Sequence, residues 1–337
     1  MVGWGTAPWV AAVEAWLAGV PGSDGRLLVH RETRPWSTVW TVGEDRWFKE
    51  NCPSHRREAT VHAAVAELAP DHVDAPVAVQ PERGWLLTRD GGTTLLDSAP
   101  GGTRGVEVAT LTALLRDYAA LQRRTVGHRD ELVAAGLPVA DPRDAAELAA
   151  AQADRLASLP ATDPRHLPAA QRDRVRAALP ALAAAGRELA AGPVPAAFDQ
   201  ADLFPRNVFL PRPGGPYRFF DFADAVWAHP FGSLVMLVVE CLHRWRIPAG
   251  DTVDCRDPRV RAVLDAYLGC WTDLAPLPEL RRLAECALRI APLHRSAAWL
   301  GILDDAAAAG DDAALARHGR TPWAWLEDVT RPVRLRG

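Results

Sequence analysis

Lysine is almost missing from this chain. Of 38 basic residues in 337, one is lysine, Lys49, and 37 are arginine. A coding bias of that strength, characteristic of a high-GC genome, replaces any lysine that arginine can imitate. The two side chains differ most where one compact ammonium must fit a tight, partly buried place. Two readings of Lys49 therefore stand: chance survival, or contact with a phosphate or a buried carboxylate.

A basic excess is also lacking. The formal net charge is −4, so nothing in the charge balance favours nucleic acid as a partner. The five cysteines (Cys52, Cys241, Cys255, Cys270 and Cys286) form no CxxC pair, and no nearby histidines complete a zinc spacing. They read as reduced, mostly buried thiols of a cytoplasmic protein. The opening "MVGWGTAPWVAAVEAWLAG" lacks the basic start and continuous apolar core of a signal peptide. Its Trp9, Val10, Val13, Trp16 and Leu17 instead repeat at helical spacing. The most apolar stretch elsewhere, "FGSLVMLVVECL", is too short to span a bilayer as a free helix and reads as a buried core helix, so no membrane partner is expected. No internal repeat is found.

What is present is ordinary for a globular chain: 48% apolar and 24% charged residues, enough over this length for one large or two modest cores. After a turn at "PGSDG", the runs "RLLVHRE", "STVWTV" and "RWFKE" predict three antiparallel strands, with Lys49 on the third. "PSHRREATVHAAVAELAP" predicts a helix with Ser54 as N-cap, closed before Pro70, whose apolar face is Val61, Ala64, Val65 and Leu68. Glu58 lies on that stripe. A carboxylate facing inward needs a partner, for which Lys49 is the nearest cation; alternatively Glu58 simply favours the positive end of the helix dipole. "APVAVQ" and "GWLLTRDGG" predict two more strands, helices fill roughly 103–191, and "NVFL" and "YRFFDF" predict a hairpin inside a helical remainder.

Around that hairpin stand Asp202, Asn207 and Asp221. Phosphoryl transfer from a nucleotide uses such a kit: a carboxylate that accepts the proton of an attacking hydroxyl, oxygen ligands for magnesium, and a cation on the phosphates. A five-residue interval puts base and metal ligand on one loop, and a hairpin returns a second ligand beside them. Lys49 and Glu58 complete the set.

With these residues in place, "QADLFPRN" and "FFDFADAVWAHPF" resemble the HGDLHPGN loop and the following metal strand of the aminoglycoside phosphotransferase and choline kinase-like superfamily. The resemblance covers about residues 26–245. It implies an α+β, bilobal protein-kinase-like fold: an N-terminal lobe (1–91) of small antiparallel β-sheet with one key helix, and a large, mainly helical C-terminal lobe (92–337). It implies Asp202 as catalytic base, Asn207 and Asp221 as Mg2+ ligands, and Lys49, positioned by Glu58, on the phosphates of ATP, with GTP possible. The run Leu87, Thr88, Arg89, Asp90 and Gly91 resembles the hinge whose backbone holds the adenine.

Departures from the pattern matter as well. Gln200 stands where the superfamily has histidine, and its amide can donate in the same way to support the loop. The "RETRPWST" turn has no glycine with which to cover phosphates; Ser37 and Thr38 either supply donors there or are ordinary strand-start residues. Arg206, in place of a glycine, either steadies a phosphoryl group or anionic substrate or lies on the surface. His229 of "AHPFG" reads as structural.

The expected function is transfer of the γ-phosphate of ATP to a hydroxyl of a small molecule: an antibiotic, a sugar or a natural-product alcohol. Residues 222–337 carry 15 acids against 14 arginines, a balance that does not favour a polycationic drug. A Ser/Thr kinase of a biosynthetic peptide and a partner-binding pseudokinase are the alternatives.

Overall fold

The computed structural model describes residues 3–99, 106–248 and 250–335. Five strands, β1 (Leu28–Arg34), β2 (Ser37–Val42), β3 (Arg46–Asn51), β4 (Ala78–Gln80) and β5 (Trp85–Arg89), form one antiparallel sheet in the order β1-β2-β3-β5-β4. Alternation along β3 sorts its side chains. Phe48 is fully buried against Trp9 and Trp16 of α1 (Ala7–Ala18), and Glu50 accepts from the Trp9 and Trp85 indoles at 2.7 Å each. Lys49 therefore points to the opposite face. There α2 (Glu58–Leu68) stands, with Val61 and Val65 buried in the larger of two hydrophobic clusters, while α1 and the sheet form the smaller one.

The prediction for α2 needs one correction. Ser54 does not cap it: Pro53–His55 form a separate 3-10 turn, and the Ser54 N–H is taken by Asp305 at 2.7 Å. The helix begins at Glu58, so the carboxylate expected on its inner stripe also sits in its first turn.

Helical segments follow: α3 (Leu95–Ser98), α4 (Val108–Thr125), α5 (Arg129–Ala134), α6 (Ala145–Ala157) and α7 (Ala169–Ala191). The predicted helical start at 103 lies outside the described residues. Two short antiparallel pairs come next. β6 (Ala197–Asp199) joins β9 (Val226–Ala228), a pairing not anticipated from sequence, and inside it β7 (Val208–Phe209) joins β8 (Arg218–Phe219), the predicted hairpin. Nesting one pair within the other brings residues 200–207 and 220–225 side by side. Helices α8 (Leu234–Arg244), α9 (Pro258–Leu268), α10 (Leu277–Ile290), α11 (Pro292–Ala308), α12 (Asp312–His318) and α13 (Thr321–Asp328) complete the fold. A two-residue parallel pair, β10 (Val253–Asp254) with β11 (Val333–Arg334), was not legible in the sequence because such short strands carry no period of their own.

No helix among the described residues is long and apolar enough to cross a membrane. The "FGSLVMLVVECL" segment becomes a 3-10 turn and α8, most of it buried.

Candidate active site

Lys49 reaches two carboxylates at once. Its Nζ lies 2.7 Å from Glu58 Oε2 and 2.7 Å from Asp221 Oδ1, tying the sheet to α2 and to the strand exit after β8. Burial opposes the ammonium charge, but Asp221 and Glu58 together outweigh it and raise its pKa. Glu58 is fully used: Oε2 also accepts from the Asn51 amide, and Oε1 accepts from the Phe222 backbone N–H at 3.0 Å. It thus fixes the backbone next to Asp221 as well as the lysine.

Gln200 holds that backbone from the other side. Its Nε2 donates to the carbonyls of Phe220 at 2.7 Å and Asp221 at 3.3 Å, while its own N–H donates to the Tyr118 hydroxyl at 3.0 Å. Both neighbours on this loop system adopt left-handed backbone: Ala201 has φ 57° and Asp221 has φ 64°. An L-residue enters that region at a cost, which marks a conformation imposed by its surroundings.

Asp202 is 6% exposed and surrounded by donors. Oδ2 accepts from Asn207 Nδ2 at 3.0 Å and from Arg206 Nη2 at 3.2 Å, whereas Oδ1 has no hydrogen-bond partner. Burial pushes its carboxyl up; nearby Arg295 pulls it down, with Asp224 acting against that and Arg206 with it.

Asn207 gives its amide nitrogen to the Asp202 carboxylate and carbonyl, each at 3.0 Å, which leaves its amide oxygen for a cation. The Asp221 side chain is 36% exposed, so it can meet a ligand in the cleft. One carboxylate and one amide oxygen, completed by phosphate oxygens and water, suit Mg2+, which prefers to keep several waters. No cluster of three or more His, Cys, Asp or Glu capable of holding a metal occurs among the described residues.

Arg295 is the residue that sequence reasoning missed. It projects from α11 with Nη2 3.4 Å from Asp202 Oδ1, and Nη1 donates to Asp224 Oδ2. Asp224 also meets His55 Nε2 at 3.0 Å. Burial raises the Asp224 carboxyl, but Arg295 and His55 overcome this and hold it well below the usual carboxylate range. Asp224 stood in a quoted motif, but nothing distinguished Arg295 from the other arginines.

Behind the loop lies Asp199, whose Oδ1 accepts from Ser233 at 2.6 Å and from the Ala201 N–H at 2.7 Å. Burial raises its carboxyl to about 7. His229, buried with its ring edge-on to Phe231, is held down to about 3 by burial, in keeping with a structural role.

Other sequence candidates fall differently. The Thr38 hydroxyl accepts from Trp40 Nε1 at 2.8 Å and pairs with Thr33 Oγ1 at 2.9 Å inside the β1–β2 hairpin, so it is not free for a phosphate. Ser37 is buried opposite Asn51. In the glycine-free turn, Trp36 reaches the C-terminal helices instead, with ring centroids 5.4 Å from Trp299 and 5.8 Å from His318. Along the run 87–91, the Leu87 carbonyl accepts from Val77 and the Asp90 N–H donates to Asp45, so a base there must use other backbone groups. Thr88 and Arg89 pair with Trp47 and Arg46. At Gly91 a Cβ would lie 2.2 Å from Phe209, so this position admits no side chain.

The architecture is one seen before. The chain aligns with the GDP and kanamycin complex of APH(2")-IIia at a TM-score of 0.61 and 14% identity, covering 94% of this chain and 98% of that one. A macrolide 2'-phosphotransferase, MphH from Brachybacterium faecium, gives 0.55 and 19% over 94% and 97%. A choline/ethanolamine kinase family protein from Mesorhizobium loti gives 0.55 and 18% over 96% and 99%. No family model and no curated protein matches the sequence. At these identities the likeness establishes the fold: the bilobal, kinase-like fold that the sequence motifs imply.

Proposed function

We propose that this protein is a phosphotransferase that moves the γ-phosphoryl group of ATP or GTP to a hydroxyl of a small molecule. The observation that carries the reading is the convergence of Lys49, Glu58 and Asp221 within 2.7 Å contacts, beside an Asp202 whose buried Oδ1 faces Arg295 but accepts no hydrogen bond. Solved structures of the same fold include GDP complexes, which supports a nucleotide in the cleft.

Lys49 binds and orients the nucleotide phosphates, with Glu58 keeping its ammonium in place. Asp202 Oδ1 accepts the acceptor's hydroxyl proton as the acceptor oxygen bonds to the γ-phosphorus. The bond to the β–γ bridging oxygen breaks, and the nucleoside diphosphate leaves with that oxygen. Asn207 and Asp221 are the residues that would hold magnesium, which when bound supplies positive charge beside the phosphates. Arg206, above the Phe204 ring and 3.2 Å from Asp202, is placed to steady negative charge at the mouth of the site.

Calorimetric titration with non-hydrolysable ATP and GTP analogues, with and without magnesium, tests this reading in the wild type and in Asp221→Ala. Magnesium-dependent binding that is lost in the variant is expected. Absence of binding by either analogue would sink the phosphotransferase reading and leave a partner-binding protein.

A further inference from the structure

A cavity of about 500 Å³ opens between α8, α10, α13 and the β10–β11 pair. Its walls are apolar, including Val235, Val238, Leu242, Ile247, Leu288 and Trp325. Val239, on α8, is 42% exposed and also belongs to this lining. A large aliphatic side chain left open at a concave wall, among other apolar groups, suits a ligand rather than water.

The cavity adjoins the chemistry. The Arg295 guanidinium lies 5.8 Å from the centre of the Trp325 ring, and that same guanidinium is 3.4 Å from Asp202 Oδ1. Pro292, another wall residue, is one helical turn before Arg295 on α11. One side chain, Arg295, thus meets both the Trp325 wall and the proposed base.

Charge decides what kind of molecule fits. Asp328 is the one carboxylate in the lining, and Arg331 Nη1 pairs with it at 3.1 Å. Burial raises the Asp328 carboxyl, and the Arg331 pairing acts against that. The other ionisable groups of the lining, His243 and Arg246, are exposed, and Arg246 makes no side-chain ion pair among the described residues. An incoming polycation would find apolar walls, a neutralised acid and a free guanidinium.

Resting on the phosphotransferase reading, we infer that the acceptor is a lipophilic alcohol without cationic groups, seated in this cavity with its hydroxyl toward Asp202. That hydroxyl loses its proton to Asp202 and takes the γ-phosphoryl group of the bound nucleotide, releasing the nucleoside diphosphate. A polyamine sugar is excluded by uncompensated desolvation of its ammonium groups.

The test uses three alcohols: 10-hydroxydecanoate (anionic), 1,10-decanediol (neutral) and kanamycin (polycationic), each with magnesium and ATP or GTP. Diphosphate release is followed by a coupled assay and the phosphorylated product by mass spectrometry. Either lipophilic alcohol should raise diphosphate release and gain phosphate, and kanamycin should not; which of the two responds separates an anionic from a neutral acceptor. Val239→Asp should weaken the apparent affinity for the active alcohol by about tenfold or more, because it places a carboxylate on an apolar wall. Val239→Leu should retain it, which separates chemistry from folding.

A second cavity of about 420 Å³, beside His55 and Asp224, provides the competing location. Loss of affinity in Ala298→Asp, on that cavity's wall, with retention in Val239→Asp would overturn the inference. So would phosphorylation of kanamycin alone, or nucleotide binding with no response to any of the three alcohols; in both cases nucleotide use still stands apart from the acceptor assignment. Failure to bind nucleotide at all defeats the phosphotransferase reading itself, and this inference with it.

Discussion

Arg295 Nη2 lies 3.4 Å from Asp202 Oδ1, so a helix near the end of the chain supplies a buried cation to the proposed base. Burial pushes Asp202 toward its protonated form and Arg295 pulls it back. Removing the cation should therefore protonate the base at higher pH. In Arg295→Met the acid limb of the kcat/KM profile is expected to move up by about 1 to 3 pH units, the usual effect of losing an opposite charge at this range. Arg295→Lys should recover much of the position of that limb. An unmoved limb in Arg295→Met would show that the cation does not tune Asp202. The Met variant also strips a partner from buried Asp224, a change that typically costs about 3–5 kcal/mol; the Lys variant keeps the test available if Met impairs folding.

Lys49 bridges two carboxylates as a single ammonium, a task the planar arginine fork fits poorly. Lys49→Arg is expected to lower turnover by about 10²-fold, comparable with losing one electrostatic donor in an active site. Steady-state rates at saturating and limiting ATP check it. Normal turnover under both conditions would return Lys49 to chance survival.

Asp199 offers a test through stability. Its folded value near 7 lies above the ordinary aspartate value of about 3.9, so the native state keeps a proton that the unfolded chain releases. The resulting contribution is fully present below about pH 4 and is lost as pH rises through about 7. Urea unfolding at pH 5 and pH 8 should show wild type losing more stability over that interval than Asp199→Asn. Equal losses would mean that Asp199 is already ionised at the lower pH.

Ala201, with φ 57°, occupies backbone that disfavours an L-residue by roughly 1–2 kcal/mol. Glycine there avoids the clash but adds about 0.4–1 kcal/mol of unfolded-state entropy. Ala201→Gly should therefore be neutral or stabilising by up to about 1.6 kcal/mol, whereas Ala149→Gly inside α6 should cost about 1 kcal/mol. Thermal melts compare them directly, and a marked loss at Ala201 would refute the strain assignment.

Local order along the chain was enough to read much of this molecule. Strand alternation places Lys49 opposite Phe48, and the five-residue step from Asp202 to Asn207 places an amide beside a carboxylate. These relationships span one strand or one loop, where backbone geometry alone sets direction. The lone lysine was conspicuous against 37 arginines, and for the same reason Arg295 was invisible among them. Its meeting with Asp202 and Asp224 depends on how α11 packs, as do the Trp36–Trp299 contact and the cavity under α8. Thr38 shows the converse: a hydroxyl suggestive in sequence is consumed by neighbours that only the folded hairpin brings to it. Sequence by itself determined the mix of a small sheet with a large helical portion and which residue types could do chemistry, because those are written in local period and spacing; the kinase-like fold was legible only through the resemblance of its two motifs. Tertiary structure alone decided which charges are buried together, since desolvation and pairing arise only when distant segments exclude water from the same place.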